Sequence, residues 1–114
     1  MTEKKLDSQQ IAGFTVFPAW EKKGRTVVTL LSLVHQEVSK THRPLPAESV
    51  KAILQDTEGM EWPCAQAPKG ELIAITGPGT TSLARFAFKE PYRGSTPSML
   101  TVSINGTKGS FSLE

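Results

Sequence analysis

One cysteine, Cys64, is all this chain has, so no intrachain disulfide can staple it and burial of apolar surface has to hold the fold. That usage fits a reducing compartment, and a cytoplasmic location is expected. A large excess of either charge is also missing. Thirteen Lys and Arg stand against eleven Asp and Glu, a formal net charge of +2. The strong basic footprint of an obligate nucleic-acid binder is therefore absent. No long hydrophobic run occurs: the richest stretch, 27–38, is interrupted by Thr29, Ser32, His35, Gln36 and Glu37, so no membrane helix is expected. The first ten residues are polar and lack the apolar centre of a secretory signal.

What is present is modest but sufficient. Hydrophobic residues make up 38% and charged residues 21% of 114, enough for one small core and too little charge for a disordered chain. A flexible polar arm over 1–12 followed by one domain over 13–114 is the expected organisation, which leaves no room for multidomain catalytic machinery.

Along the chain, Phe14 to Phe17 reads as a short strand stopped by Pro18, and Trp20 to Arg25 as a charged turn. The segment 26–38 satisfies two periods. Val27, Leu30, Leu31, Val34 and Val38 make a helical stripe, while Val28, Leu30, Ser32 and Val34 alternate with Val27, Thr29, Leu31 and Leu33 as in a strand. The β-branched opening Thr26-Val27-Val28-Thr29 tilts the reading to a strand, and a helix here would remove one strand from the sheet.

A short helix is predicted over 46–55, with Pro46 in its first turn, Glu48 near its positive end and Ala47, Val50, Ile53 and Leu54 as its apolar stripe. Residues 59–70 read as a loop in which Pro63 and Pro68 forbid a central strand, with Trp62 either anchored on the core or exposed as a contact. Strands follow at 71–76 and 82–89, the latter placing Ala84, Phe86 and Phe88 on one face and Arg85, Ala87 and Lys89 on the other. The run from Met99 to Leu113 alternates on both sides of Asn105-Gly106, a strong hairpin signal. Phe86 and Phe88 are expected to be buried with Val102 and Ile104. The fold class expected is α+β: a small, mainly antiparallel sheet or partly open barrel of five or six strands with one short helix.

Chemistry is thinly represented. Gly77-Pro78-Gly79 with Thr80, Thr81 and Ser82 lacks the lysine of a phosphate loop and leads into a strand, so a plain hairpin loop is expected. His35, Glu37, His42 and Cys64 are the available metal ligands, without a close pair or spacing that gathers them. Cys64 has no nucleophile elbow around it, and the acids Asp56, Glu58 and Glu61 fit a solvated cluster at the end of the helix better than an acid and base pair. No cofactor is implied, and a non-enzymatic role is expected.

Two binding roles remain. A protein-interaction or regulatory module would use aromatic and arginine residues on loops as anchors. A single-stranded nucleic-acid binder would set aromatic rings beside cations. Both readings draw on Trp20, Lys22, Lys23, Arg25, Trp62, Arg85, Lys89, Tyr92 and Arg93 as contact residues. Another protein is the expected partner, with single-stranded nucleic acid as the alternative. Ala87 between Arg85 and Lys89 is notable, because a small side chain lets a partner backbone approach.

Overall fold

The computed structural model describes residues 4–35, 46–70, 72–75 and 81–113. The turn at 77–79 and the candidate ligands Glu37 and His42 lie outside the described residues.

Two antiparallel sheets face one another. The larger contains β1 (Lys4–Lys5), β2 (Gln9–Ile11), β3 (Phe14–Lys23), β4 (Thr26–His35), β6 (Cys64–Gln66), β7 (Ile73–Ile75) and β8 (Thr81–Lys89), in the order β1-β3-β4-β8-β6. β2 also pairs with β3, and β7 with β8. The smaller sheet runs β10-β9-β5, from β5 (Val50–Asp56), β9 (Pro97–Ile104) and β10 (Thr107–Ser112). The expected class holds: a small α+β domain built mainly on antiparallel sheet and not closed into a barrel. Its helical content among the described residues is one 3-10 turn, Ala47–Ser49.

Strand alternation decides which side chains form the core. β3 turns Phe14, Val16 and Trp20 inward, β4 Val27, Leu31 and Leu33, and β8 Ala84, Phe86 and Phe88. These meet Val50 and Leu54 of β5, Leu100, Val102 and Ile104 of β9, and Phe111 of β10 in one cluster. Phe86 and Phe88 are thus buried together with Val102 and Ile104, as the alternation predicts. Segment 26–35 is a strand, with Val28, Leu30, Ser32 and Val34 half-buried on the outer face. The Met99 to Leu113 hairpin also forms. Ile104 pairs with Thr107 across Asn105 and Gly106, whose φ values of 50° and 88° are the two positive angles a type I′ turn needs.

Four expectations are corrected. The helix over 46–55 is replaced by the 3-10 turn and by β5, because Val50, Ala52 and Leu54 find a ready ladder in Ile104, Val102 and Leu100 of β9. Ile53, counted in the helical stripe, is instead 38% exposed on the other face. The strand begun at Phe14 does not stop at Pro18 but continues to Lys23. In a strand a residue's N–H and C=O point to the same side. The Pro18 carbonyl accepts from Leu6 N at 3.0 Å, so the missing N–H faces the gap between β1 and β2 and costs the β4 ladder nothing. The reversal comes later, at Gly24 and Arg25, between the paired ends Lys23 and Thr26.

The third correction concerns the loop 59–70, which contains the three-residue β6. Its pairing to β8 shifts register between Cys64 and Gln66, the kind of short, irregular edge that flanking prolines permit. The fourth concerns the N-terminal arm. Its described residues lie along the β3 edge, with Lys4 opposite Trp20 and Gln9 opposite Val16. Ile11, the one large apolar residue of that segment besides Leu6, is buried in the core beside its partner Phe14.

The two sheets meet differently on their two sides. On one side the strip 61–66 crosses between them by backbone: Glu61 bridges to Gln55, Trp62 N donates to Leu54 O at 2.7 Å, and Pro63 O accepts from Lys89 N at 2.9 Å. On the other side β2 meets β10 through a side chain, with Gln9 Nε2 donating to Ser110 O at 2.6 Å. Gly109 permits that approach. A Cβ there would stand 2.5 Å from Ile11 Cδ1.

Candidate binding groove

The outer face of the larger sheet is organised by register. Moving along β8, Arg85 is flanked by Leu30 and Ala19, Ala87 by Val28 and Glu21, and Lys89 by Thr26 and Lys23. Arg85 and Lys89, four residues apart on one strand, are separated by about 13 Å, and Lys23 stands two strands from Lys89, about 10 Å away. Beyond β8 the strip 63–66 rises as a wall. The result is a groove of about 710 Å³ with Val28 and Ala87 on its floor, Pro63 to Gln66 along one side, and Lys23, Arg85 and Lys89 around it. A smaller hollow of about 160 Å³, bordered by Ala19, Glu21 and Leu30, shares Val28 and Arg85 with it, so the depression continues across the sheet.

The cations are exposed and lightly engaged. Arg85 Nη1 donates to Gln66 Oε1 at 3.2 Å, a contact that angles the guanidinium along the wall. Lys23 Nζ lies 3.8 Å from Glu21 Oε2 in an exposed pair of the kind that contributes little. Cys64 is exposed at the wall, its thiol directed to the Gln66 carbonyl at 3.3 Å.

The remaining residues expected at a contact surface are not brought to this groove as one constellation. Trp20 and Trp62 are 8% and 3% exposed and belong to the core. The charged residues after Trp20 predict a turn, but β3 continues through them and alternation carries the Trp20 ring inward. Lys22 is exposed on the side of β3 opposite to Lys23. Arg25 pairs with Glu90, Nε to Oε2 at 3.4 Å, while Glu90 Oε1 accepts from the Gly94 and Ser95 amides at 2.6 and 3.1 Å. Arg25 and Glu90 therefore tie the 90–95 loop to the β3–β4 turn. Burial raises the Glu90 pKa, but these amide bonds and nearby Lys22 and Arg25 outweigh it and hold the carboxyl below its usual range. Arg93 is exposed at the tip of the same loop.

Tyr92 is taken up by a carboxylate cluster. Its hydroxyl donates to Asp56 Oδ2 at 2.6 Å and lies 3.3 Å from Glu58 Oε2. Asp56 Oδ1 accepts from the Glu58 and Met60 amides, both at 2.8 Å, closing the turn after β5. The Tyr92 hydrogen bond foremost, then the Met60 and Glu58 amides, hold Asp56 below the ordinary carboxylate range despite its desolvation. Asp56 spends Oδ1 and its backbone N and O on the turn and Oδ2 on Tyr92 of the 90–95 loop, which makes it a structural group. Its depressed folded pKa gives a sign. The stability it contributes is present above the unfolded pKa of about 3.9 and is lost as pH falls through the lower folded value. Urea midpoints measured from about pH 6 to 2 should therefore converge between the wild type and Asp56→Asn as pH falls. A gap between the two that stays constant over the whole range would show that Asp56 has no such role.

No group of three or more His, Cys, Asp or Glu side chains is placed to hold a metal among the described residues. No helix among them is long and apolar enough to cross a membrane. The basic face Arg85, Ala87, Lys89 was legible from alternation. The wall was not, because a strand of three residues between two prolines carries no periodic signal. No family model, curated protein or solved structure matches this chain, so the chemistry of the groove is what bears on its function.

Proposed function

We propose that this domain is a non-enzymatic, cytoplasmic protein-binding module that takes an acidic, extended segment of a partner protein into the groove on its outer sheet face. The observation that carries this reading is the convergence of Lys23, Arg85 and Lys89 on an apolar floor of Val28 and Ala87. Cations around an apolar hollow suit an extended chain that presents, on one face, carboxylates four residues apart with an aliphatic side chain midway between them. In an extended segment, positions four apart repeat at about 13 Å, the spacing of Arg85 and Lys89. Ala87 leaves room for the partner's backbone.

Single-stranded nucleic acid shares the electrostatic half of this chemistry. Its other half, open aromatic faces on which bases stack, rests on Phe17 alone among the described residues of this face, 47% exposed on β3, since Trp20 and Trp62 are buried and Tyr92 is hydrogen-bonded to Asp56.

A fluorescein-labelled twelve-residue peptide of the repeat Glu-Ser-Leu-Ser, which sets Glu and Leu alternately on one face of an extended chain, tests the proposal when titrated by anisotropy at low and moderate salt. Partly exposed ion pairs contribute about 0.5–1 kcal/mol each, so Arg85→Gln with Lys89→Gln should weaken binding about tenfold and flatten the salt dependence. Absence of peptide binding at low salt, or equal binding by the double variant, defeats it. Tighter binding of a twelve-residue oligothymidylate that displaces the peptide would transfer the groove to nucleic acid.

A further inference from the structure

We propose that a second copy of this chain is an occupant of the groove, its acidic turn after β5 seating there reciprocally in a two-fold dimer. The inference rests on the reading of the groove as a docking site and names one partner for it.

The turn has the chemistry that the groove asks for. Glu58, Met60 and Glu61 are exposed, and Met60, at 51%, is the most exposed large apolar side chain among the described residues. Two carboxylates flank a flexible thioether, facing a hollow in which cations surround Val28 and Ala87. The turn is also rigid before it binds. Asp56 N donates to Met60 O at 2.9 Å and Gly59 N to Asp56 O at 3.1 Å, and the Asp56 carboxylate takes the Glu58 and Met60 amides. Little ordering is left to oppose docking.

Position supplies the symmetry. Glu61 stands two residues, about 7 Å, before Pro63 of the groove wall, so acidic projection and basic hollow adjoin one another on one strip of chain. A surface with a projection beside its own complement is self-complementary under a two-fold axis, each copy filling the other. The turn cannot fold into its own groove. Trp62, buried and held by its amide to Leu54 O at 2.7 Å, pins the strip between them.

Sedimentation equilibrium at low ionic strength, over rising protein concentration, tests this with charge reversal. The wild type should approach twice the monomer mass and return to monomer in about 1 M salt, where the Debye length falls to about 3 Å. Arg85→Glu with Lys89→Glu should remain monomeric, as should Glu58→Lys with Glu61→Lys. The fourfold variant, with both sets reversed, should recover the dimer. All four positions are exposed, and circular dichroism with the milder Lys89→Gln and Glu61→Gln variants guards against misfolding. A monomeric wild type, a dimer that survives either reversal, a fourfold variant that fails to recover it, or masses growing beyond two copies overturns the proposal. The acidic peptide titrated in parallel separates the two readings. A monomer that binds the peptide removes the self-docking alone, and one that does not removes the groove as well.

Discussion

Truncating Phe86 to alanine is expected to lower the unfolding free energy by about 3–5 kcal/mol, measured by urea denaturation followed by far-UV circular dichroism. Phe86 is 3% exposed in the middle of β8, between β4 and the edge segments β6 and β7. Its ring stacks on Phe88 with centroids 6.3 Å apart and planes 16° from parallel. Removing it takes away both transfer free energy and the contacts of that stack, in a region hydrogen-bonded on two sides that cannot collapse easily around the void. A domain of this size has about 5–15 kcal/mol of stability, so the loss is a large fraction of the whole. Arg85→Ala, one residue earlier on the same strand and on the opposite face, is the internal control and should stay within about 0.5 kcal/mol. Equal losses at the two positions would mean that the alternation of β8 is wrong.

Trp62→Ala carries the second large effect, again about 3–5 kcal/mol. This indole is the buried anchor of the strip 61–66, which joins the smaller sheet to β8 and forms the groove wall. Stability and peptide binding should therefore fall together, although Trp62 does not line the groove. Trp62→Phe separates burial from the indole nitrogen. The Trp62 Nε1 donor is buried with no hydrogen-bond partner among the described residues, an arrangement that costs free energy, so a phenylalanine gives up area but also removes an unsatisfied donor. Its cost should be below about 1.5 kcal/mol, with peptide affinity retained. If alanine leaves the peptide affinity at the wild-type value, the wall does not depend on its anchor.

The sequence is most readable where one face is buried and the other is wet. Ser82 to Lys89 and Met99 to Leu113 alternate cleanly because each strand is core on one side and mostly solvent on the other, with Ala87 on the outer side of β8 buried as the exception, and Asn105-Gly106 fixes the register between the last two strands. Reading fails where a tertiary partner decides. Val50, Ile53 and Leu54 fit helical spacing, but Val50, Ala52 and Leu54 fit a strand as well, and the apolar ladder of β9, almost fifty residues away, decides for the strand. Pro18 signals an end to any strand unless its imide side faces a gap, a fact about β1 and β2 rather than about local sequence.

The candidate site divides in the same way. Arg85 and Lys89 are legible because β8 is regular. The sequence marks Lys23 as a surface cation, but its place on the outer face follows only once β3 runs on to Lys23, and the same extension takes Trp20 out of the expected turn and into the core. Pro63 to Gln66 became part of the site only through Trp62, whose anchoring role is invisible without the core it fills.

The unequal joining of the two sheets sets how the native state breathes. Backbone hydrogen bonds bind the sheets along the strip 61–66, whereas β2 and β10 touch through Gln9 and the close approach of Ile11 to Gly109. Local openings start where the fewest cooperative bonds must break, so transient hydration enters between β2 and β10 and swings about the opposite side as about a spine. Amides along β10 consequently exchange with solvent ahead of those in β4 and β8. A partner seated in the groove grips the spine and leaves that outer seam free to open. Occupancy would thus slow exchange at Lys89 and along the wall while leaving β10 nearly unchanged, separating the motion of the fold from the state of its binding face.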